Sequence, residues 1–284
     1  MELDGRTAVV TGAASGIGLA LARRCAASGV RVVLADIEAA PLEEAARALE
    51  KQGAEALAVR TDVTREAEVE ALAARAVDAF GAVHLVCNNA GVFAGGLSWE
   101  APLSDYEWVF AVNVWGVLHG VRAFVPRLLA QGEGHVLITA SMASLTATPF
   151  AAPYVMSKHA VFALAESLQL ELQTRGGTVG VSVLCPEAIR TGIGDSQRSR
   201  PARFARGPGS HPERDLVEGA LRAGTAAGID PDVVAARALE AVRSKRFYVL
   251  PPEPDPWHAA MRARLADLVA GRDLELHIPG APRD

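Results

Sequence analysis

Short β-branched apolar runs alternate with stretches rich in Ala, Leu, Glu and Arg from the first residue to about position 190, and this alternation constrains the fold more than any other feature. The strand-like runs are Thr7–Thr11, Arg31–Asp36, Ala56–Thr61, His84–Asn88, His135–Thr139 and Gly180–Leu184, with helical patterns near 17–28, 39–52, 66–80, 104–130 and 153–175. Runs such as AVVTG, VVLAD and HVLIT are apolar without alternation, as strands buried on both faces must be, and the crossovers between them are long enough to hold a helix. The pattern predicts an α/β fold with a doubly wound parallel sheet, in which ligands bind outside the carboxyl ends of the strands.

The remainder of the chain breaks that rhythm. From about 192 to 230 it is dense in Gly, Pro, Ser and Arg, then a helix is expected from Pro231 and a last strand at 246–250. A long irregular insertion in a compact domain reads as a functional loop, so 192–230 is expected to be a mobile lid beside the active site. Residues 1–250 form one domain in this reading, and 251–284 a C-terminal extension with one amphipathic helix ending at Gly271, packed against a neighbouring surface or subunit. The 284 residues alone leave one or two domains open.

A net charge of −5 argues against nucleic-acid binding. The acidic start and the early TGAASG break fit neither a signal peptide nor a membrane span, so a cytoplasmic protein with no membrane partner is expected. Cys25, Cys87 and Cys185 are widely spaced in apolar stretches and read as buried free thiols; no metal site is expected. His119, His135 and His159 read as structural. Trp99, Trp108 and Trp115 fall on or near one long helical stretch, as core or subunit contacts.

The first strand runs into Thr11-Gly12-Ala13-Ala14-Ser15-Gly16-Ile17-Gly18 and then a helix. Glycines there let the backbone approach a pyrophosphate, whose charge the free N–H groups of the helix start stabilise. Taken alone, the spacing equally suits a structural tight turn. Asp36 closes the next strand, where a carboxylate can bond the adenosine ribose hydroxyls and repel a 2′-phosphate, or else cap a helix. Only three Lys and three Tyr occur in the chain, against 25 Arg. Random placement would produce roughly 0.03 Tyr-x-x-x-Lys pairs, yet Tyr154 and Lys158 form one, thirteen residues after Ser141. At i and i+4 on a helix the phenol and ammonium share a face, and a nearby cation favours phenolate. The site needs a compact ammonium there, which Arg would not supply.

The Gly-x-x-x-Gly-x-Gly spacing, Asn88-Asn89-Ala90-Gly91 after the fourth strand, Asn113, Ser141 and Tyr154-Val-Met-Ser-Lys158 together resemble the short-chain dehydrogenase/reductase family over roughly residues 5–191. The resemblance implies a Rossmann fold with NAD as cofactor. It implies that Tyr154 exchanges a proton with the substrate oxygen and that Ser141 bonds that oxygen. Lys158 would lower the Tyr154 pKa and bind the nicotinamide ribose, while Asn113 would hold a water behind Lys158. On the cofactor, Gly12, Ser15, Gly16, Ile17 and Gly18 would meet the pyrophosphate side and Asp36 the ribose. Asp62 and Val63 would meet adenine, and Asn89, Ala90 and Gly91 would line the adenosine side. Pro186, Ile189 and Thr191 would belong to the nicotinamide loop, with Thr191 on the carboxamide.

Glu187 stands where the family usually has Gly, facing either solvent or the substrate pocket. If the apolar segments MASLTATPFAAP and VFAGGLSW line the pocket, the substrate is a hydrophobic alcohol or ketone. Arg198, Arg200, Arg203 and Arg206 are either solvated or attract an anionic substrate group. The expectation is an NAD-dependent oxidoreductase acting on a secondary alcohol or ketone, as a homodimer or homotetramer paired through 104–130 and 153–175. The alternatives are an NADP-dependent biosynthetic carbonyl reductase and a non-catalytic NAD-binding regulator.

Overall fold

The computed structural model describes residues 1–207 and 212–274. Seven parallel strands, β1 (Thr7–Thr11), β2 (Arg31–Asp36), β3 (Ala56–Arg60), β4 (Leu85–Asn88), β5 (Gly134–Thr139), β6 (Val179–Leu184) and β7 (Tyr248–Val249), form one sheet in the order β3-β2-β1-β4-β5-β6-β7. The order reverses between β1 and β4, which opens a crevice at their carboxyl ends. Side chains alternate between two cores. Val9, Val33, Val86, Val136 and Ile138 face α3 (Glu66–Phe80), α5 (Gly116–Gln131) and α6 (Ala152–Thr174); Val10, Leu34, Cys87 and Leu137 face α1 (Gly16–Ala27), α2 (Ala39–Glu50) and α8 (Pro231–Ser244). Burial on both sides is why these strands carry no polar alternation.

The helix expected at 104–130 is built in three pieces: α4 (Leu103–Phe110), a π-helical turn at Ala111–Trp115, and α5. A π-turn accommodates one extra residue, and this one contains Asn113. The span Leu103–Gln131 is long and apolar enough to cross a membrane by length and composition, but half of its most apolar window is buried inside the fold. Trp108 is fully buried in this segment, whereas Trp115 and the preceding Trp99 are exposed. All three cysteines are free and buried; burial pushes Cys25 and Cys185 up to about 12, so their thiols are weak nucleophiles.

The expectation of an irregular segment at 192–230 needs correction, although residues from it do border the cleft. Its described part is largely helical: 3₁₀ turns at Gly192–Ser199 and Ala202–Phe204, then α7 (Pro212–Ala226); residues 208–211 lie outside the described residues. Its arginines each meet a carboxylate of the same chain, with Arg198 and Arg203 still 41% and 38% exposed. Arg200 and Arg206 converge on fully buried Asp105, and Arg206 also pairs with Glu218 at 2.7 Å. Arg200 stacks 4.7 Å from the ring centre of Trp108. Further along, Arg203 reaches Asp62 at 2.9 Å and Arg198 reaches Glu38 at 3.0 Å.

The extension folds back on its own chain as α9 (Pro256–Ala270), started by Asp255, whose carboxylate accepts from Trp257 N at 2.8 Å. Arg264 Nη1 then donates to Leu145 O at 3.1 Å, fastening α9 to the loop after β5. Residues 275–284 of the expected extension lie outside the described residues.

Candidate active site

A cleft crosses the carboxyl ends of the strands. At its β1 side Gly12 has φ +68°, and a Cβ there would stand 2.9 Å from the Ala90 backbone; one at Gly18 would stand 2.1 Å from Gly12 O. Only glycine permits this contact between the β1 turn, the β4 loop and the start of α1. Ser15 begins α1 without a side-chain cap, and the first turn contains no acidic residue. The leading N–H groups are therefore suited to an anion.

Thr11, which the sequence reading passed over, fastens the β4 loop: its Oγ1 accepts from Asn89 N at 2.9 Å and Ala90 N at 3.1 Å. Asn89 Nδ2 donates to Thr11 O at 3.0 Å, and its Oδ1 accepts from Thr139 Oγ1 at 3.1 Å. Asn89 thus ties β1 to β5, while Asn89, Ala90 and Gly91 all line the cleft.

At the β2–β3 end stand Asp36, Glu38, Asp62 and Val63. Asp36 accepts from Ala14 N and Glu38 N, both at 3.0 Å, and so orders the glycine turn rather than capping α2, whose N-cap is Glu38. Burial raises its pKa despite these bonds. Burial also works to raise Asp62, but hydrogen bonds from Thr64 and Arg203 outweigh it and hold the carboxyl below its ordinary value.

At the β5–β6 end the cleft is lined by Ser141, Tyr154, Lys158, Pro186, Glu187, Ile189 and Thr191, with Ser15, Gly16 and Ile17 across from Thr191. Ser141 starts a 3₁₀ turn, its Oγ accepting from Ala143 N at 3.1 Å. The Lys158 ammonium donates to Thr139 O at 2.9 Å and lies 5.6 Å from the Tyr154 ring centre. Phe93 packs against Tyr154 with ring centres 5.1 Å apart. Burial pushes Tyr154 up to about 12, against the hydrogen bond to Ser141 that lowers it. Burial likewise lowers Lys158 to about 8. Desolvation is the largest influence on both groups, and Lys158 stands beside the phenol whose proton affinity it is expected to lower.

Asn113 is fully buried. Its Oδ1 accepts from Val92 N at 2.9 Å, while Nδ2 donates to Val92 O and to Ser157 Oγ, both at 3.0 Å. These three bonds lock the β4 loop to α6 and leave one acceptor position on Oδ1. Ser157 was missed although it sits inside the Tyr-Lys motif, since a Ser next to a recognised Lys has no pattern of its own. Glu187 takes neither expected position outright: it lines the cleft but is ion-paired to Arg237 of α8 at 2.8 Å. Trp257, Leu221 and Thr225, none of them singled out from sequence, complete the lining.

The short chain dehydrogenase family model matches residues 6–202. A 1-deoxy-11-beta-hydroxypentalenate dehydrogenase from Streptomyces exfoliatus is 42% identical over 256 residues, covering 88% of this chain and 84% of that protein. A 2-(R)-hydroxypropyl-CoM dehydrogenase from Xanthobacter autotrophicus is 40% identical, covering 66% of this chain and 75% of its own length. Among solved structures, a short chain dehydrogenase/reductase from Burkholderia phymatum in complex with NAD superposes with a TM-score of 0.94 at 41% identity, covering 100% of this chain and 99% of that one. The chain belongs to the short-chain dehydrogenase/reductase family. It is an oxidoreductase of the kind that acts on CH–OH groups.

Proposed function

We propose that the protein moves a hydride between NAD and a hydrophobic secondary alcohol or its ketone. The observation that carries this reading is the pairing of half-buried Tyr154 with buried Lys158 on one face of α6, both lining the cleft beside Ser141, with the ammonium 5.6 Å from the phenol ring centre. Bound NAD supplies the hydride acceptor or donor at its nicotinamide. The residues present fit it: the uncapped α1 start suits the pyrophosphate, and Asp36 with Asp62 and Val63 suits an adenosine carrying a free 2′-hydroxyl.

Tyr154 then passes its proton to the ketone oxygen, or takes one from the alcohol, while the Ser141 hydroxyl donates to the oxygen as charge develops. Lys158, held by Thr139 O, keeps a cation near the phenol and within reach of the nicotinamide ribose. Asn113 acts as a positioning residue through Ser157 and the Val92 backbone. Pro186, Ile189 and Thr191 hold the nicotinamide end, and Gly12, Ser15, Gly16, Ile17, Gly18, Asn89, Ala90 and Gly91 the rest of the cofactor.

Tyr154→Phe is expected to lower turnover by about 10³-fold while NADH affinity, read by fluorescence titration, stays within twofold. Retained turnover would overturn the reading. Catalytic efficiency with NAD and with NADP, measured side by side, tests the coenzyme; equal efficiency would refute the role given to Asp36 and favour the biosynthetic reductase. Assembly into a homo-oligomer through α5 and α6 belongs to the same reading. It is supported by exposed Trp115, Leu129, Met156 and Leu170, and is tested by light scattering.

A further inference from the structure

The family model ends at residue 202, yet the cleft does not. Leu221 and Thr225 of α7 and Trp257 of α9 line it. They join Phe93, Met142, Ala143, Thr148, Ala151 and Val155 around the Tyr154 end. None of these side chains is charged. The charged groups that line the cleft elsewhere already have partners. Asp36 is held by backbone N–H groups, Lys158 by Thr139 O, Glu38 and Arg198 by each other, Asp62 by Arg203, and Glu187 by Arg237.

Trp257 is placed with some precision. Its backbone N–H is capped by Asp255, it packs half-buried against the core cluster that contains Met142, and its helix is tied by Arg264 to Leu145, three residues beyond Met142 in the loop that carries Ser141. An indole held in this way offers a large rigid apolar face at little entropic cost.

We propose that Trp257 is a specificity-determining residue: the C-terminal helix supplies the apolar wall of the substrate subsite and selects bulky, uncharged ring-bearing secondary alcohols over small ones. This rests on the oxidoreductase reading above and adds to it the part of the chain that chooses the substrate.

The test compares 4-tert-butylcyclohexanol with 2-propanol in wild type, Trp257→Ala and Trp257→Phe. In the alanine variant the ratio of kcat/KM for the bulky alcohol to that for 2-propanol is expected to fall by about 10-fold, chiefly through KM for the bulky substrate. Trp257→Phe should recover most of the ratio. Circular dichroism and NADH affinity within twofold of wild type establish that the variants fold. A ratio unchanged within twofold, or a uniform loss in kcat for both alcohols, would overturn the proposal. Binding of 4-tert-butylcyclohexanone, followed by tryptophan fluorescence in wild type and Trp257→Phe, separates the two readings. If neither alcohol is oxidised, the oxidoreductase reading alone fails, and the proposal stands or falls on a Trp257-dependent fluorescence change.

Discussion

The two ends of the cleft are held by different physics. At the β2–β3 end polar groups meet polar groups: Asp36 is bonded by backbone N–H, Asp62 by Thr64 and Arg203, and Glu38 by Arg198. At the β5–β6 end, beyond the Glu187–Arg237 pair, half-buried Tyr154 and buried Lys158 have pKa values moved chiefly by desolvation, upward for Tyr154 and downward for Lys158. The first arrangement fixes the positions of charges and acceptors, and the second shifts proton affinity. The segment 192–206 serves both ends, since Arg198 and Arg203 fasten it to the former while Ser196 Oγ accepts from Phe93 N at 3.1 Å near the latter.

Beyond Tyr154→Phe, the contrast can be broken at several points. Asp105→Asn removes the carboxylate shared by buried Arg200 and partly buried Arg206, and is expected to destabilise the fold by about 3 kcal/mol, measured by urea unfolding. A loss below about 1 kcal/mol would show that the segment is held by packing instead.

Asp62 and Asp36 should respond with opposite sign, because their pKa values move in opposite directions. The lowered Asp62 contributes stability that is present above its unfolded pKa and is lost as pH falls through the folded value; Asp62→Asn is expected to cost about 2 kcal/mol at pH 7 and to flatten that acid-side loss. The raised Asp36 favours folding only in its protonated form, so its contribution disappears as pH rises through the folded value. Asp36→Asn removes a desolvated charge but keeps only one of the two acceptors for Ala14 N and Glu38 N, so stability at pH 7 should change by less than about 1 kcal/mol, while relative efficiency with NADP rises by about 10-fold. Urea midpoints between pH 3 and 7 check the signs, and loss of stability in both variants would break the distinction.

The smallest effect is expected at the Arg198–Glu38 pair, whose side chains are 41% and 27% exposed. Arg198→Gln should change stability by less than about 1 kcal/mol and speed NADH dissociation a few-fold, an effect that added salt reproduces in wild type. Stopped-flow release of NADH that is insensitive to salt would remove this pair from any role in holding the coenzyme end closed.

What was legible from sequence follows the same division. Strands buried on both faces announce themselves as apolar runs, so β1 and β2 match the expected limits, and a shared helical face brings Tyr154 to Lys158. Glycines whose replacement would strike Ala90 or Gly12 are readable because nothing else fits. The arginine-rich segment was not legible, since its order depends on Asp105, Asp62 and Glu38, carboxylates far away in sequence and unremarkable there. Trp257 was hidden for a related reason: a lone aromatic after a Pro-rich stretch has no periodicity to show which surface it meets. Desolvation at Tyr154 was also invisible, because spacing reveals the neighbouring cation but not the packing that removes solvent from the phenol.

The fastening of α9 to Leu145 means that the last described helix completes a site whose first part is laid down by the opening residues. A chain emerging from the ribosome carries the whole β1–α1 turn and the Tyr154–Lys158 pair long before it carries the wall at Trp257. A chain ending after Leu250 is expected to bind NADH but to lose preference among alcohols, which fluorescence titration and the two-alcohol comparison would measure.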